Sequence, residues 1–236
     1  MTHALDISHF TQSVSGDLTP EKIERLIARG VERFIVSIAD KDIARAQIAA
    51  LKPYGFDIQT YRYYYWATMR QRRDEDVAFI AELRHNGVNV QKHWLDHEDT
   101  SVRRPVDQNI ADIQWMIDAW AGVCYTGIYT AAWWWRDYMA DSDAFKSMPL
   151  WFAHWDWEET LDLRIPFGGW TRGEMKQTHG DVWVEDVWCD TNYYEKAAII
   201  PSPTAPPVTP PVTEPTPKEI ALAHIEAARI AVEALP

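Results

Sequence analysis

Four acidic side chains stand where predicted strands end, and acids at such positions can carry out proton-transfer chemistry. Asp6 ends the first predicted strand, Asp96 and Glu98 end the fourth, and Asp190 ends the last. Asp96 and Glu98 are two residues apart, which on a strand puts both side chains on one face. Like-charge repulsion and burial raise the pKa of one such carboxyl, so a protonated acid can stand beside an ionised partner. The alternative is a pair of solvated loop residues in an acidic protein.

Aromatic residues are concentrated on the same predicted strands. The chain contains 13 Trp residues, and Trp is costly at a surface unless it packs or binds something flat. Because inward residues must fill a barrel, any single aromatic residue is better explained by the core. As a set beside carboxylates, they are typical of a saccharide-binding groove. The set is Tyr61, Tyr63, Tyr65, Trp94, Tyr125, Tyr129, Trp151 and Trp155. The consecutive Trp133, Trp134 and Trp135 cannot share one helix face, so at least one ring should be exposed or cover the barrel mouth.

A metal site is the alternative interpretation of His93 and His97, which flank Asp96. On a strand, residues four apart share a face but are separated by about 13 Å, too far for one ion. If the segment were helical, the pair could bind a metal, as in metal-dependent deacetylases of cell-wall sugars. The second acidic metal motif of those enzymes is missing, so we expect no metal and no organic cofactor.

The elements that position these residues alternate between β-rich runs and helical patterns, which indicates parallel strands joined by crossover helices. The predicted strands are Leu5–Ser8, Arg33–Ala39, Asp57–Trp66, Val90–Glu98, Cys124–Ala131, Pro149–Trp155, Glu174–His179 and Val182–Asn192. The predicted helices are Thr19–Gly30, Ile43–Leu51, Gln71–His85, Val106–Trp120 and a short one through Trp133 and Tyr138. Helices occupy only the first five crossovers. The sequence therefore predicts an α/β fold, a TIM-like (β/α)5(β)3 barrel.

Composition narrows the class of protein. The chain of 236 residues has 35 acids and 23 bases, a net charge of −12, which disfavours duplex nucleic acid and anionic lipid as partners. A neutral or cationic polymer fits better. We expect neither a membrane helix nor a signal peptide, so the protein would be made in the cytoplasm. Cys124 and Cys189 form no ligand cluster and are predicted to be buried thiols.

The C-terminal part of the sequence differs from the rest. Eight of the chain's 14 prolines lie between Pro201 and Pro217, which indicates a semi-rigid linker over residues 200–217. Residues 218–236 have an amphipathic helical pattern. A short helix at the end of a linker is marginal alone, so self-association through this helix is one hypothesis, beside docking on the barrel or contact with the cell wall. The barrel itself is assigned to residues 1–199.

An ordered set of motifs resembles glycoside hydrolase family 25, the lysozymes of the Chalaropsis type that are common as phage endolysins. The motifs are LDISHF (from Leu5), RFIVSIA (from Arg33), TYRYYYW (from Thr60), WLDHED (from Trp94), YTGIYTAAWW (from Tyr125), PLWFAHWD (from Pro149), KQT (from Lys176) and DTN (from Asp190). The resemblance covers about residues 4 to 198. It implies a barrel of eight strands with five crossover helices, and cleavage of the β-1,4 bond between N-acetylmuramic acid and N-acetylglucosamine.

The resemblance also implies roles for single residues. Glu98 would be the proton donor, and Asp96 would stabilise the oxocarbenium-like centre or orient the N-acetyl group. Asp190 and Asp6 would complete the acidic floor. The residues expected to bind substrate are Tyr61, Tyr63, Trp94, Tyr125, Trp151 and Gln177.

Three motifs depart from the family pattern. The usual K-A-T-E-G after the second strand is replaced by the run from Ser37 to Asp40, Y-H-F is replaced by Tyr61-Arg62-Tyr63, and W-Q-Y by Met175-Lys176-Gln177. These departures bear on subsite specificity before they bear on chemistry, because the four carboxylates are present.

The sequence thus predicts a peptidoglycan hydrolase that acts on the bacterial cell wall, in phage lysis or after non-classical export. Two rivals remain: a non-catalytic saccharide-binding barrel, and a metal-dependent polysaccharide deacetylase.

Overall fold

Short strands alternate with helices along most of the computed structural model, which describes residues 3–195. The strands are β1 (His3–Ile7), β2 (Val31–Ser37), β3 (Asp57–Tyr63), β4 (Val90–Asp96), β5 (Tyr125–Ala131), β6 (Leu150–Ala153), β7 (Asp162–Phe167), β8 (Trp170–Arg172), β9 (Met175–Val184) and β10 (Val187–Tyr194). The helices are α1 (His9–Ser15), α2 (Pro20–Ala28), α3 (Lys41–Leu51), α4 (Met69–His85), α5 (Val106–Trp120) and α6 (Ala132–Met139), with a short 3₁₀ turn at Lys52–Tyr54.

Eight of these strands close into a barrel in the order β1-β10-β9-β6-β5-β4-β3-β2. The first six barrel strands and β9 pair in parallel, whereas β10 is antiparallel to both of its neighbours, β9 and β1. The predicted TIM-like barrel is therefore confirmed. Helix α1 and the separate two-stranded sheet β7-β8 were not predicted. The predicted linker and C-terminal helix lie outside the described residues.

Local capping explains where several helices begin. Thr19 accepts a hydrogen bond from the backbone N–H of Lys22, and Pro20 occupies the first helical turn of α2. Asp40 accepts from two backbone N–H groups at the start of α3. Ser8, predicted to end the first strand, instead caps α1 in a reciprocal box with Thr11, so the chain turns into a helix directly after β1.

Two apolar clusters hold the barrel. The larger lies between the strands and the helices, and the smaller fills the barrel interior with residues from all eight strands. Within the interior, the Trp94 indole lies against Gly127 of the neighbouring strand: a Cβ added at Gly127 would be 2.3 Å from the Trp94 ring. Glycine at position 127 is therefore required by the close approach of this indole.

Of the three consecutive tryptophans, Trp133 is exposed and Trp134 and Trp135 are fully buried, as the helix geometry predicted. Cys189 is buried and Cys124 is half-buried, and both are free thiols. Burial raises the pKa of the Cys124 thiol to about 12, which makes it unreactive. No helix among residues 3–195 has the length and apolar character needed to cross a membrane.

Candidate active site

A cavity of about 250 Å³ opens where the parallel strands of the barrel end. Its lining residues come from seven strands and the segments that directly follow them. They are Asp6, Tyr61, Asp96, Glu98, Tyr129, Trp151, Trp155, Gln177 and Asp190. The strand register brings them together, because Asp6 lies opposite Asp190 and Asp96 lies beside Tyr129. All four predicted carboxylates therefore line one cavity, at the end of the barrel where sites of this architecture are built.

Glu98 is the carboxyl whose environment suits a proton donor. It lies just beyond β4, is half-buried, and burial raises its pKa to about 7. The backbone on both sides is fixed: the N–H of His97 donates to the Tyr129 carbonyl at 3.1 Å, and the Asp99 carboxylate accepts from the N–H of Trp66 at 2.8 Å. A carboxyl with this pKa is largely protonated below neutral pH and can give up its proton near neutrality.

Asp96 ends β4 inside the cavity and is almost completely buried. Burial raises its pKa well above the ordinary value, and the charges of Glu98 and Asp6 raise it further. Among the described residues, its Oδ1 atom has no hydrogen-bond partner. A buried carboxylate oxygen without a protein partner, facing a cavity, is free to interact with a bound molecule.

Asp6 and Asp190 form a second carboxyl pair across the cavity. The Nδ2 group of Asn192 donates to Asp6 at 2.8 Å, and the backbone N–H of Asp181 donates to Asp190 at 2.7 Å. Burial, and then the neighbouring charge of Asp190, raise the pKa of Asp6 well above its usual value. Burial also raises the pKa of Asp190, with the N–H of Asp181 opposing that shift. Two close carboxyls with raised pKa values share protons rather than ionise together.

Gln177 connects the two sides of the cavity. Its Nε2 donates to Asp190 at 2.9 Å and to Asp6 at 3.3 Å, while its Oε1 accepts from the hydroxyl of Tyr129 at 2.8 Å and from the indole N–H of Trp155 at 3.1 Å. These four bonds use the hydrogen-bonding capacity of the amide. Gln177, predicted to bind substrate, thus lines the cavity but positions other residues of the site.

Aromatic rings form the walls. Tyr61 meets Trp151 edge-on with ring centroids 5.8 Å apart, and Tyr129 packs on the same indole at 4.4 Å. Burial, with the nearby carboxylates, raises the pKa of both tyrosines, so their hydroxyls remain protonated donors. Tyr61 and Trp151 were predicted to bind substrate. Tyr129 and Trp155 belonged to the predicted aromatic groove set but were not among the six residues assigned to substrate binding.

The structure places three predicted substrate-binding residues elsewhere. Tyr125 is the first residue of β5, so it lies at the opposite end of the barrel from the carboxylates and is exposed there. Trp94 is fully buried: its indole donates to Gln59 at 2.6 Å and packs beneath Trp151. Predictions of substrate contact for Tyr125 and Trp94 are therefore wrong. Tyr63 lies beside the acidic side of the site, where burial and the charges of Asp99 and Asp96 raise its pKa, but it does not line the cavity.

His93 lies on the outer side of β4 and His97 directly follows the strand, and both face the helical layer. His93 bonds to Thr60 at 3.0 Å and stacks on Trp120, while His97 stacks on Trp66. Burial lowers the pKa of each imidazole to about 3, so both are neutral. Within residues 3–195, no group of three or more His, Cys, Asp or Glu side chains could hold a metal ion. The barrel wall thus separates the two histidines from the carboxylates.

Most of the side chains that depart from the family motifs lie outside the cavity, and Gln177 is the exception. The guanidinium of Arg62 points away from the barrel interior, donating to the carbonyl of Ile38 at 3.0 Å and to Asp76 at 3.1 Å. Asp40 caps α3. Lys176 reaches the carboxylate of Asp156 in the loop after β6. Arg62, Asp40 and Lys176 therefore serve helix and loop structure, whereas Gln177 of the third departing motif lines the cavity and bonds to Asp6 and Asp190.

Comparison with known proteins supports this reading of the fold. The family model described as lysozyme-like protein 1 matches residues 1–178. Probable GH family 25 lysozyme 5 of Dictyostelium discoideum is 34% identical over 106 residues, which are 43% of this chain and 49% of that protein. Probable GH family 25 lysozyme 4 of the same organism is 28% identical over 123 residues, 52% of this chain and 58% of that protein. The chain thus spans about half the length of the curated relatives it matches.

A solved structure shows the same fold. The catalytic domain of the endolysin ply40, from bacteriophage P40 of Listeria monocytogenes, aligns with a TM-score of 0.60 and 15% identity, covering 83% of this chain and 94% of that one. The family match extends over well more than half of the 236 residues. The chain therefore belongs to the lysozyme-like protein 1 family, and its resemblance to glycoside hydrolase family 25 is confirmed.

Proposed function

We propose that this chain is a lysozyme, a peptidoglycan hydrolase that cleaves the β-1,4 bond between N-acetylmuramic acid and N-acetylglucosamine. The observation that carries the proposal is the placement of Asp96 and Glu98 together in one cavity with aromatic walls. Family membership supports it, as does the name of a curated relative, a probable lysozyme. The substrate would be the glycan of the bacterial cell wall.

Glu98 supplies the proton in this reaction. With its pKa raised to about 7 by burial, its carboxyl is protonated at mildly acidic pH. As the bond between the anomeric carbon and the bridging oxygen breaks, the proton passes to that oxygen, so that the departing sugar leaves as a neutral alcohol. Water then adds its hydroxyl to the anomeric carbon, and its remaining proton returns to the Glu98 carboxylate.

Asp96 acts on the positive charge that develops at the anomeric carbon. Its Oδ1 atom has no partner among the described residues, so its lone pairs are free to interact with the reacting sugar. It stabilises the oxocarbenium-like centre or orients the substrate N-acetyl group. Either role needs Asp96 ionised while Glu98 is protonated, and the mutual repulsion of the two carboxyls keeps them from ionising together.

Asp6, Asp190 and Gln177 form the floor opposite this pair. Their hydrogen bonds fix the Tyr129 hydroxyl and the Trp155 indole, which border the space available to a sugar ring. A floor that is fixed before substrate binds reduces the cost of ordering the site during reaction.

The experiment is mass spectrometry of the fragments released from a purified bacterial cell wall by the full chain, with Glu98→Gln as the matched inactive variant. We expect wild-type fragments that end in a reducing N-acetylmuramic acid, and almost none from the variant. Fragments ending in reducing N-acetylglucosamine would change the assigned bond.

The same measurement separates the two rivals. A non-catalytic saccharide-binding barrel would retain the wall without releasing fragments. A metal-dependent deacetylase would leave the chain length unchanged and remove acetyl groups in a chelator-sensitive manner. The position of His93 and His97 behind the barrel wall argues against that rival.

A further inference from the structure

The aromatic lining of the cavity continues outward beyond Trp155. The Trp155 indole lies on the backbone of Gly180, where an added Cβ would be 2.8 Å from the ring. The His179 ring lies 6.4 Å from Trp155, centroid to centroid, and stacks on Trp157 at 3.6 Å with an interplanar angle of 22°. Trp155, His179 and Trp157 form a surface that we call the aromatic ledge. The ledge begins at the cavity, because Trp155 is part of the ledge and also lines the cavity.

Trp157 presents its ring to solvent from an unfavourable backbone conformation. Its φ is +59°, in the left-handed region that bulky residues rarely adopt, and its side chain is 60% exposed. One face of the indole is covered by His179. An exposed Trp in a strained conformation is costly, and such strain is concentrated at functional sites.

A buried lysine fastens the chain on both sides of Trp157. The ammonium of Lys176 contacts the Asp156 carboxylate and donates to the backbone carbonyl of Glu158 at 2.9 Å. The N–H of Glu158 in turn donates to Asp156 at 3.0 Å. Lys176 itself is almost fully buried. The loop is therefore fixed before any ligand arrives, which lowers the entropic cost of binding.

The charges around the ledge favour a neutral ligand. The cations nearest in the chain are paired within the described part of the protein: Lys176 with Asp156, and Arg164 with Glu158. Asp181, next to Gly180 in β9, adds a further negative charge. The acids of these two ion pairs are neutralised by their cations, so Asp181 is the charge that would repel a carboxylate-bearing ligand, whereas an uncharged ring would not be repelled.

We propose that the aromatic ledge is an additional saccharide-binding surface, which stacks on an uncharged N-acetylhexosamine ring further along the glycan chain that is cut beside Glu98. The proposal rests on the proposed function, because it assigns the ring to the same substrate. The flat indole of Trp157 offers apolar contact area to the C–H face of a pyranose ring. Because Trp155 joins the ledge to the cavity, the bound sugar ring would lie on the path of the glycan chain as that chain leaves the cavity.

The test measures binding of N-acetylglucosamine oligomers of increasing length to the full chain carrying Glu98→Gln. The informative variant is Trp157→Asn, because Asn tolerates the left-handed conformation and should leave the loop folded. We expect about 10-fold weaker binding of long oligomers, the equivalent of one aromatic contact, and unchanged binding of the disaccharide. His179→Ala, which removes the support behind the indole, should give a smaller loss with the same length dependence.

Tyr125→Ala is the matched control, since it removes an exposed aromatic side chain at the opposite end of the barrel. Unchanged binding of long oligomers by Trp157→Asn, or an equal loss for short and long ones, overturns the proposal. Fragment release by the wild-type chain is measured separately. Release without a length-dependent loss rejects the ledge alone, and a length-dependent loss without release rejects the proposed hydrolysis alone.

Discussion

Asp6 and Asp190 lie directly opposite each other on the antiparallel strands β1 and β10. Both carboxyls accept a hydrogen bond from the same Nε2 atom of Gln177. Burial and the charge of Asp190 raise the pKa of Asp6. The two carboxyls therefore lie close together despite their mutual repulsion. The side-chain amide of Gln177 stabilises this arrangement, because it donates a hydrogen bond to each carboxyl without adding a charge.

Gln177→Glu should therefore destabilise the barrel in a pH-dependent way. The substitution replaces a donor with a third carboxyl facing Asp6 and Asp190. We expect a loss of about 1–3 kcal/mol in the free energy of unfolding at pH 7, and a smaller loss at pH 4, where the three carboxyls carry less negative charge. Urea unfolding at both pH values measures it. Gln177→Met, which removes the hydrogen bonds without adding charge, should lack the difference; an equal loss at both pH values for Gln177→Glu would contradict this account.

Glu98→Gln should lower kcat by at least about 10²-fold, because general acid catalysis typically contributes 10² to 10⁴. The fold should be unaffected, since the side chain lies at the cavity and glutamine has nearly the same shape. Release of soluble glycan fragments gives the rate, and thermal unfolding checks the fold. The control is Glu24→Gln on the exposed side of α2, which should act like the wild type. Near-normal turnover by Glu98→Gln would remove Glu98 from the mechanism.

The rate of cleavage should fall as pH rises through about 7. Only the protonated form of Glu98 can donate, and burial raises its pKa from 4.5 to about 7, so the alkaline limb of the profile reports that ionisation. The acidic limb reports the partner that must be ionised, and both values belong to the coupled pair. Initial rates on soluble fragments from pH 4 to pH 9 give the profile. A flat profile over that interval would count against acid catalysis by this pair.

The same raised pKa predicts a change in stability with pH. Between 4.5 and about 7 the folded chain holds the Glu98 proton more tightly than the unfolded chain does. Stability contributed by this group is therefore full below the unfolded pKa and is lost as pH rises through the folded pKa. Wild-type stability relative to Glu98→Gln should decline over this interval, as measured by urea unfolding at several pH values. A constant difference would show that the Glu98 pKa is not raised.

Much of the barrel could be predicted because β-rich runs and amphipathic helices alternate with clear caps, as at Thr19 and Pro20. Helix α1 could not, since it is only seven residues long and Ser8 begins it with Thr11 rather than an acidic capping partner. The β7-β8 sheet was also missed. Asp162–Phe167 is mostly exposed, so it has no alternating apolar pattern to reveal a strand.

In the site, the carboxylates were predictable because strand ends meet at one edge of a barrel. The aromatic residues were harder, because several of them share a face at different depths. Tyr125 and Tyr129 lie on the same strand four residues apart, about 13 Å, and only Tyr129 is beside Asp96 in the register. Trp94 lies two residues before Asp96 and therefore deeper in the barrel, where its side chain belongs to the packed interior. Depth along the strand, more than residue type, decides which rings a substrate can reach.

Gly127 also lies deep in the barrel interior, against the Trp94 ring. The substitution Gly127→Ala tests how tightly this interior is packed. The new methyl group would be placed 2.3 Å from the Trp94 ring, which lies beneath Trp151 of the cavity wall. We expect a loss of about 1–3 kcal/mol in the free energy of unfolding, because the packed interior cannot accept the extra volume. Activity should fall as well, since a displaced Trp94 pushes on the wall. Trp94→Phe in the same chain makes room for the methyl group, so the double variant should lose less stability than the two single losses combined. Urea unfolding of all four chains measures this coupling, and strictly additive losses would mean that the Trp94–Gly127 contact is not what requires glycine.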